Sequence, residues 1–389
     1  MCMARRLQTV GPMHWPETSA ESVRPSRFNP PFCPWPNCPA HLGPSSGFQR
    51  FGYYRKPRDP ARIPRFRCRA CRRTCSRQTF STTYYLKRCD LPPLIASSLV
   101  ACSAHRQIAR TFACSKTTVT RAAERLGRHA ILFHARSLEH VRELTEAVVH
   151  DHFEAFIARQ DHGLGIGTAV GAQSRFVYDV DPAPHRGSGR RPDRGQAEPV
   201  RAIRPYASSI RRTVSVLLPK VFAPNRLLCV VDGRRDYLAA IALRSMKERV
   251  TLSIHPNPKR GPKGSPRSRE AIARDWQMFP VDQLHQLIRH SCADHKRETI
   301  AFGRRLESIL GRAHLIAVWK NFVKYRSERK PDPTTPAMKI GLADAPWRWQ
   351  RLLTRRLFLK RIRTPDSASR VYWKRWTSHL PRLEMKHAA

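Results

Sequence analysis

The sequence is short of acid. Its 389 residues hold 29 Asp and Glu against 72 Lys and Arg, a formal net charge of +43. A surplus of that size repels itself in a compact state unless a polyanion neutralises it. Nucleic acid is the natural partner, because each phosphate contact releases counterions. Long apolar runs are missing too: no stretch approaches the roughly 18 to 20 residues of a spanning helix, and no amphipathic anchor stands out, so no membrane partner is expected. Met1 to Pro16 carries arginines with no apolar run behind them, unlike a secretory signal, and an intracellular protein is expected. Internal repeats are absent. What is present is enough to fold: 41% of residues are hydrophobic, and the length suggests two or three domains.

The cysteines do not form a disulfide framework. There are eleven, an odd number, and Cys2, Cys75, Cys89, Cys102, Cys114, Cys229 and Cys292 are scattered. The other four fall into two pairs, Cys33-Pro-Trp-Pro-Asn-Cys38 and Cys68-Arg-Ala-Cys71, separated by 29 residues. Zinc takes four thiolates in a tetrahedron, with each close pair at a tight turn. Phe48 to Tyr54 alternates enough to make a hairpin between them. The expectation is a structural zinc ribbon with Cys33, Cys38, Cys68 and Cys71 as ligands and no open position for chemistry. Cys75 and His41 are the outlying candidates.

Arg106 to Arg121 (RQIARTFACSKTTVTR) has the pattern of a helix-turn-helix. Ile108, Ala109 and Phe112 would face a core, Ala113 and Cys114 fill the turn, and Ser115 caps a second helix. Val119 and Ala122 then point inward, and Lys116, Thr117, Thr118, Thr120 and Arg121 outward. A recognition helix meets bases with its N-terminal part and phosphates with its flanks. Thr117, Thr118 and Arg121 are therefore the base-reading candidates, and Arg125 and Arg128 the phosphate contacts, with Lys116 beside them.

Because acids are scarce, those on apolar strands stand out. Asp151 follows Ala147-Val-Val-His150, further apolar runs span Leu164 to Val170 and Phe176 to Val180, and Asp232 ends Leu227-Leu-Cys-Val-Val231. A helix over about Arg235 to Arg244 and a strand over Val250 to Ile254 follow. Three strands, a connection, a fourth strand, a helix and a fifth strand match a ribonuclease-H-like α/β core, in which a first carboxylate lies on the first strand, a second follows the fourth, and a third comes from a later helix. That helix is expected over about Arg297 to Lys324. Its Glu298 and Glu307 are nine residues apart, hence on opposite sides. Glu298 borders the apolar stripe of Phe302, Leu306, Ile309, Ala313 and Ile316, and is the favoured third acid. Asp282 is a further option, capping a helix from Gln283 to His290. Three carboxylates suit two divalent metals, Mg²⁺ or Mn²⁺.

By composition the chain divides into a loose segment (1–30), the ribbon (31–90), the helix-turn-helix (91–136), the α/β domain (140–325) and a basic Trp- and Arg-rich tail (326–389) with Trp347, Trp349, Trp373 and Trp376. Two Pro-, Gly- and Arg-rich stretches, Asp181 to Gln196 and His255 to Arg269, are expected as basic surface loops. Within them, His185 to Arg191 and Lys259 to Arg269 would track a nucleic-acid backbone.

In this combination the chain resembles bacterial insertion-sequence transposases of the DDE type with an N-terminal zinc ribbon. The likeness rests on Phe66 to Phe80 (FRCRACRRTCSRQTF), the helix-turn-helix, His150 to Phe156 (HDHFEAF), Val230-Val-Asp-Gly233 and His295 to Phe302 (HKRETIAF), and covers about 30 to 325. It implies a cytoplasmic, nucleoid-associated enzyme that binds the ends of an element and target DNA as a homo-oligomer, and that cleaves and joins strands with Asp151, Asp232 and Glu298 around the metal. The chain departs from the family at Cys75, where an aromatic is usual, and before Glu298, where His295 stands in place of an Asn. A non-catalytic DNA-binding regulator or an inactive relic is the alternative. An RNA-binding protein shares the charge, but a helix-turn-helix suits the major groove of B-form DNA.

Overall fold

The computed structural model describes residues 28–43, 47–56, 59–186, 205–258, 262, 264–296, 299–327 and 329–375. Three strands near the N-terminus, β1 (Phe48–Lys56), β2 (Asp59–Cys68) and β3 (Thr74–Ser76), form an antiparallel sheet in that order. The expected hairpin is thus β1–β2, with Phe48 opposite Cys68.

Helices follow: α1 (Leu91–Val100), α2 (His105–Thr111) and α3 (Lys116–His140). Pro92 and Pro93 lie in the first turn of α1, where no intrahelical amide bond is lost. The turn between α2 and α3 passes through Ala113 at φ +46. Ser115 then caps α3, its Oγ accepting from the Thr118 amide at 3.1 Å. Ile108, Ala109 and Val119 are buried.

The larger sheet holds β4 (Val148–Ile157), β5 (Arg159–Gly171), β6 (Val177–Arg186), β7 (Leu227–Val231) and β8 (Val250–Ile254), in the order β6-β5-β4-β7-β8. The first three strands are antiparallel, and β7 and β8 join in parallel. β7 is apolar throughout, as a parallel strand flanked on both sides should be, and all of it but Leu228 is buried. Between β6 and β7 lies α4 (Pro205–Leu217), and between β7 and β8 lie α5 (Arg235–Ala240) and α6 (Arg244–Lys247). After β8 come α7 (Arg269–Ser291) and α8 (Leu306–Phe322). Side chains alternate along β4. His150 and His152 meet Tyr237 of α5 and Tyr206 of α4 on one face, while Phe153 meets His285 of α7 on the other.

α8 is buried on nearly every side, including Arg312, His314, Lys320 and Asn321, and so does not show the one-sided stripe expected of it. It crosses α3 at Gly127 and Gly311, where a Cβ on Gly127 would stand 2.9 Å from the Gly311 Cα. Two glycines therefore set how closely these helices approach.

Several expected boundaries move. Asp181 to Arg186 belongs to β6, not to a surface loop. β6 is an edge strand, where Pro182 and Pro184 cost no ladder bond on the open side. Asp181 is fully buried and receives Arg212 Nη2 at 2.6 Å. Residues 187–204 lie outside the described residues, as do 259–261 and 263. The helix expected from Gln283 starts at Arg269 and runs through Pro280, so Asp282 lies inside it and caps nothing. The helix expected from Arg297 starts at Leu306, and Glu298 lies outside the described residues. The helix expected over Arg235 to Arg244 is broken into α5 and α6.

The C-terminal segment is not a free tail. Trp347 is 2% exposed, and its ring packs 5.8 Å from Phe133 and 5.2 Å from Phe322. Phe358 reaches the N-terminal module, 5.2 Å from Phe32 and 5.8 Å from Phe80. Lys360 Nζ donates to the Pro36 carbonyl at 3.1 Å, and Arg361 donates to the His41 carbonyl. Trp349 is also buried and Trp373 is half exposed, while Trp376 lies outside the described residues. Among the described residues no helix is long and apolar enough to cross a membrane.

Candidate functional site

The thiols come together first. The β1–β2 hairpin carries Cys68 and Cys71 back to the turn holding Cys33 and Cys38. The Sγ atoms of Cys33 and Cys71 are 3.6 Å apart, those of Cys38 and Cys68 3.8 Å, and all four lie within 4.8 Å of one another. Burial pushes the Cys33 and Cys38 thiols up. Burial also opposes ionisation of Cys68, but hydrogen bonds from the Cys71 and Ala70 amides and the neighbouring thiols bring it down to about 7. Four sulfurs turned inward with one already near its thiolate form fit a tetrahedral ion such as zinc. Cys75 stands apart from this cluster, paired opposite Phe66, its thiol pushed up to about 12 by burial and then by the charges of Cys68 and Cys71. His41 is not in the group of ligand atoms either, and its Nδ1 is 2.7 Å from the Cys33 carbonyl.

The acids meet at one end of the larger sheet. In the parallel pair β4–β7, Val149 stands opposite Val230, and two residues further on the same register sets Asp151 beside Asp232. Asp232 follows the strand directly, with Gly233 at φ +88 and the Arg234 amide donating to Asp232 Oδ1 at 3.2 Å. Above them lies α7. Asp282 and His285, three residues apart on one helical face, bring their ligand atoms within 4.8 Å of Asp151 and of each other. His285 Nδ1 is 3.9 Å from Asp151 Oδ2, and Nε2 is 2.8 Å from Thr168 Oγ1 on β5. Arg274 Nη1 pairs with Asp282 Oδ2 at 2.5 Å.

The electrostatics are those of crowded carboxylates. Burial, and then the charge of Asp232, push the Asp151 carboxyl up to about 7. Asp282 adds to this, and the His152 amide, 2.7 Å from Oδ1, works against it. His285 is driven down to about 3 by burial, then by Arg289, and is a neutral imidazole. A divalent cation would relieve the repulsion among these acids. Neither Asp232 nor Glu307, in the first turn of α8, belongs to the ligand group that Asp151, Asp282 and His285 form; Asp232 acts on Asp151 through its charge.

On α3, Lys116, Thr117, Thr118, Arg121 and Arg128 are exposed, as expected of a surface that meets another molecule. Thr120 is partly covered, 3.1 Å from His105 Nδ1. Arg125 departs from expectation. It is half-buried and donates through Nη1 to the carbonyls of Thr82 (3.0 Å) and Tyr84 (2.7 Å). These bonds tie α3 to the segment that leads out of the small sheet.

His285 was not a sequence candidate. The signal was there in the Asp282-x-x-His285 spacing, but with the helix expected to start at Gln283, Asp282 stood at its cap and not on its face. Asp179 was missed too. It is buried on β6 and receives Thr213 Oγ1 at 2.7 Å, and burial, then Asp181, push its carboxyl up to about 7. It and Asp181 are held by α4, which makes them supports of the sheet. No family model matches the chain, and no curated protein matches it in sequence.

Proposed function

We propose that the chain is a metal-dependent DNA strand-cleaving and strand-joining protein, a transposase that binds the ends of its own element. One observation carries this reading: Asp151, near the start of β4, and Asp232, just past β7, stand close enough on adjacent parallel strands to feel each other's charge, and Asp282 and His285 of α7 come within ligand distance of Asp151. A sheet of three antiparallel strands joined by two parallel ones, with its acids in these places, supports a ribonuclease-H-like catalytic domain. Asp151, Asp232 and Asp282 would hold Mg²⁺ or Mn²⁺, which supplies charge stabilisation at a phosphodiester and lowers the pKa of an attacking hydroxyl. Asp282 takes the place first expected of Glu298.

The chain's own groups have separate tasks. Thr168 holds His285 through Nε2, which turns Nδ1 toward Asp151. Neutral His285 can add a nitrogen donor to the carboxylate oxygens. The net charge of +43 gathers DNA, and the exposed start of α3, from Lys116 to Arg121, would enter a major groove. The four-thiol module, with zinc, would orient that helix through Arg125.

A chain that binds DNA without chemistry is the second reading. The Arg274–Asp282 ion pair favours it, since Arg274 competes for one of the acids. Incubation with duplexes carrying the DNA that flanks its coding region decides between them. With Mg²⁺ or Mn²⁺ the wild type should nick at the repeat boundaries, and Asp232→Ala and Asp282→Asn should each lower the rate at least 100-fold with binding unchanged. Glu307→Gln should cut normally. Cleavage retained in Asp282→Asn but lost in Glu298→Gln would return the third role to Glu298. Binding without cleavage in any metal would leave the regulator.

A further inference from the structure

We propose a second zinc site, formed by Cys292, Asp294 and His295 where α7 ends. The segment turns sharply there. Residues 293–295 make a single 3-10 turn, and the His295 amide donates to the Cys292 carbonyl at 3.2 Å. The turn folds a thiol, a carboxylate oxygen and an imidazole nitrogen to within 4.8 Å of one another. One sulfur, one oxygen and one nitrogen make a donor set suited to a borderline divalent ion, zinc above the harder magnesium.

The burial of these groups demands a partner. Cys292 is fully buried and His295 is 3% exposed. Neither ring nitrogen of His295 meets a partner at hydrogen-bond geometry, and Asp294 Oδ1 makes no hydrogen bond, only a long ion pair with Arg312. Polar atoms left unpaired in the interior are costly, and a bound ion is one of the few ways to satisfy them. A thiolate and a carboxylate would also neutralise a dication, which makes its burial tolerable.

The surroundings are those of a structural site. Arg312 Nη1 lies 3.6 Å from Asp294 Oδ1, and its Nη2 lies 3.0 Å from His105 Nε2. Arg312 thus steadies the carboxylate from outside and links it to α2. The His295 ring stands edge-on to Phe153 at 5.4 Å, on the strand that carries Asp151. The Cys102 amide, in the loop between α1 and α2, donates to the Ser291 carbonyl at 3.0 Å. A metal here would fix the turn that ends α7, which bears Asp282 and His285, and the Arg312 and Cys102 contacts join that turn to the α1–α2 pair. It holds positions and takes no part in chemistry, and it stands whether or not the chain cuts DNA.

Zinc content of the purified full chain tests this, measured after a weak chelator has removed loosely held ions. The wild type should hold two zinc ions per chain and Cys292→Ser one. A wild type with one zinc, or a Cys292→Ser chain that keeps two, overturns the site. Should the variant fail to fold, cobalt titration of the wild type decides. Two phases are expected, the one-thiolate phase showing about a quarter of the sulfur-to-cobalt absorbance of the four-thiolate phase. A single phase, or a second phase with no thiolate absorbance (as cobalt among Asp151, Asp282 and His285 would give), overturns it.

Discussion

Cys33 with Cys38, and Cys68 with Cys71, are neighbours in sequence, and one hairpin is enough to bring the two pairs together. Asp151, Asp232 and Asp282 come from two strands and a helix spread over 131 residues, and they meet only once a five-stranded sheet has formed and α7 has been laid on it. The two clusters also differ in what they do to the fold. The thiol module has a small core of Cys33, Cys38, Ala40 and Cys68, so an ion would supply most of its folding energy. The acidic cluster is imposed on a sheet whose apolar core already holds it, and its crowded carboxylates work against stability. A local cluster of this kind depends on its metal to fold, whereas a long-range one spends the stability of its scaffold to hold like charges together.

The contrast can be broken most directly at the thiols. Cys68→Ala should unfold the small sheet, because a structural zinc is worth roughly 10 kcal/mol or more to such a module. Amides of β1 and β2 should then exchange with solvent at least 100-fold faster while those of β4 and α7 keep their protection. Equal loss of protection in both regions would mean that the C-terminal segment, through Phe358 and Arg361, makes one cooperative unit of them.

A smaller effect separates Arg125 from Arg121. Arg125→Ala removes charged hydrogen bonds to two carbonyls and should cost about 1.5–3 kcal/mol in denaturant unfolding, with little change in DNA affinity. Arg121→Ala should leave stability within about 0.5 kcal/mol and weaken DNA binding by about 1–3 kcal/mol. The opposite pattern would place Arg125, not Arg121, on the DNA.

The smallest effect is at Asp151. Its folded pKa of about 7 lies above the ordinary 3.8, so the neutral carboxyl is the form the fold prefers. That preference is fully present below about pH 4 and is lost as pH rises through 7. In the presence of a chelator, Asp151→Asn should melt at about the same temperature as wild type at pH 4, and a few degrees (~2–5 °C) higher at pH 8. Equal melting at both values would mean the carboxylates are not crowded.

Much of the first cluster was legible because its information is local. Ligand spacing, the alternation around Phe48 and the Ser115 cap each act over a few residues. β7 was readable end to end because its five residues make an unbroken apolar run, and β8 because Val250, Leu252 and Ile254 alternate with polar residues. Asp151 and Asp232 could be singled out because an acid beside such a run is rare in so basic a chain. Asp282 could be named only as a further option. The 23-residue helix that bears it was expected only from Gln283 on, and a helix turned inward on all sides, α8, carries no one-sided stripe from which to tell which glutamate faces the sheet. Asp181 read as part of a loop because Pro182 and Pro184 look like breakers, when an edge strand tolerates them.

By itself the sequence determined the charge that calls for a polyanion, the four-thiol module, the cap and inner face of α3, and the order of the strands, all properties of composition or of neighbouring residues. Only the tertiary structure decided that Asp282 and His285, not Glu307, stand over Asp151, that Arg125 is bound to backbone carbonyls, that Gly127 and Gly311 set the crossing of α3 on α8, and that Trp347 and Trp349 are core. Each of these depends on which side chains the packed elements bring face to face, a relation between residues far apart in the chain that no local pattern encodes.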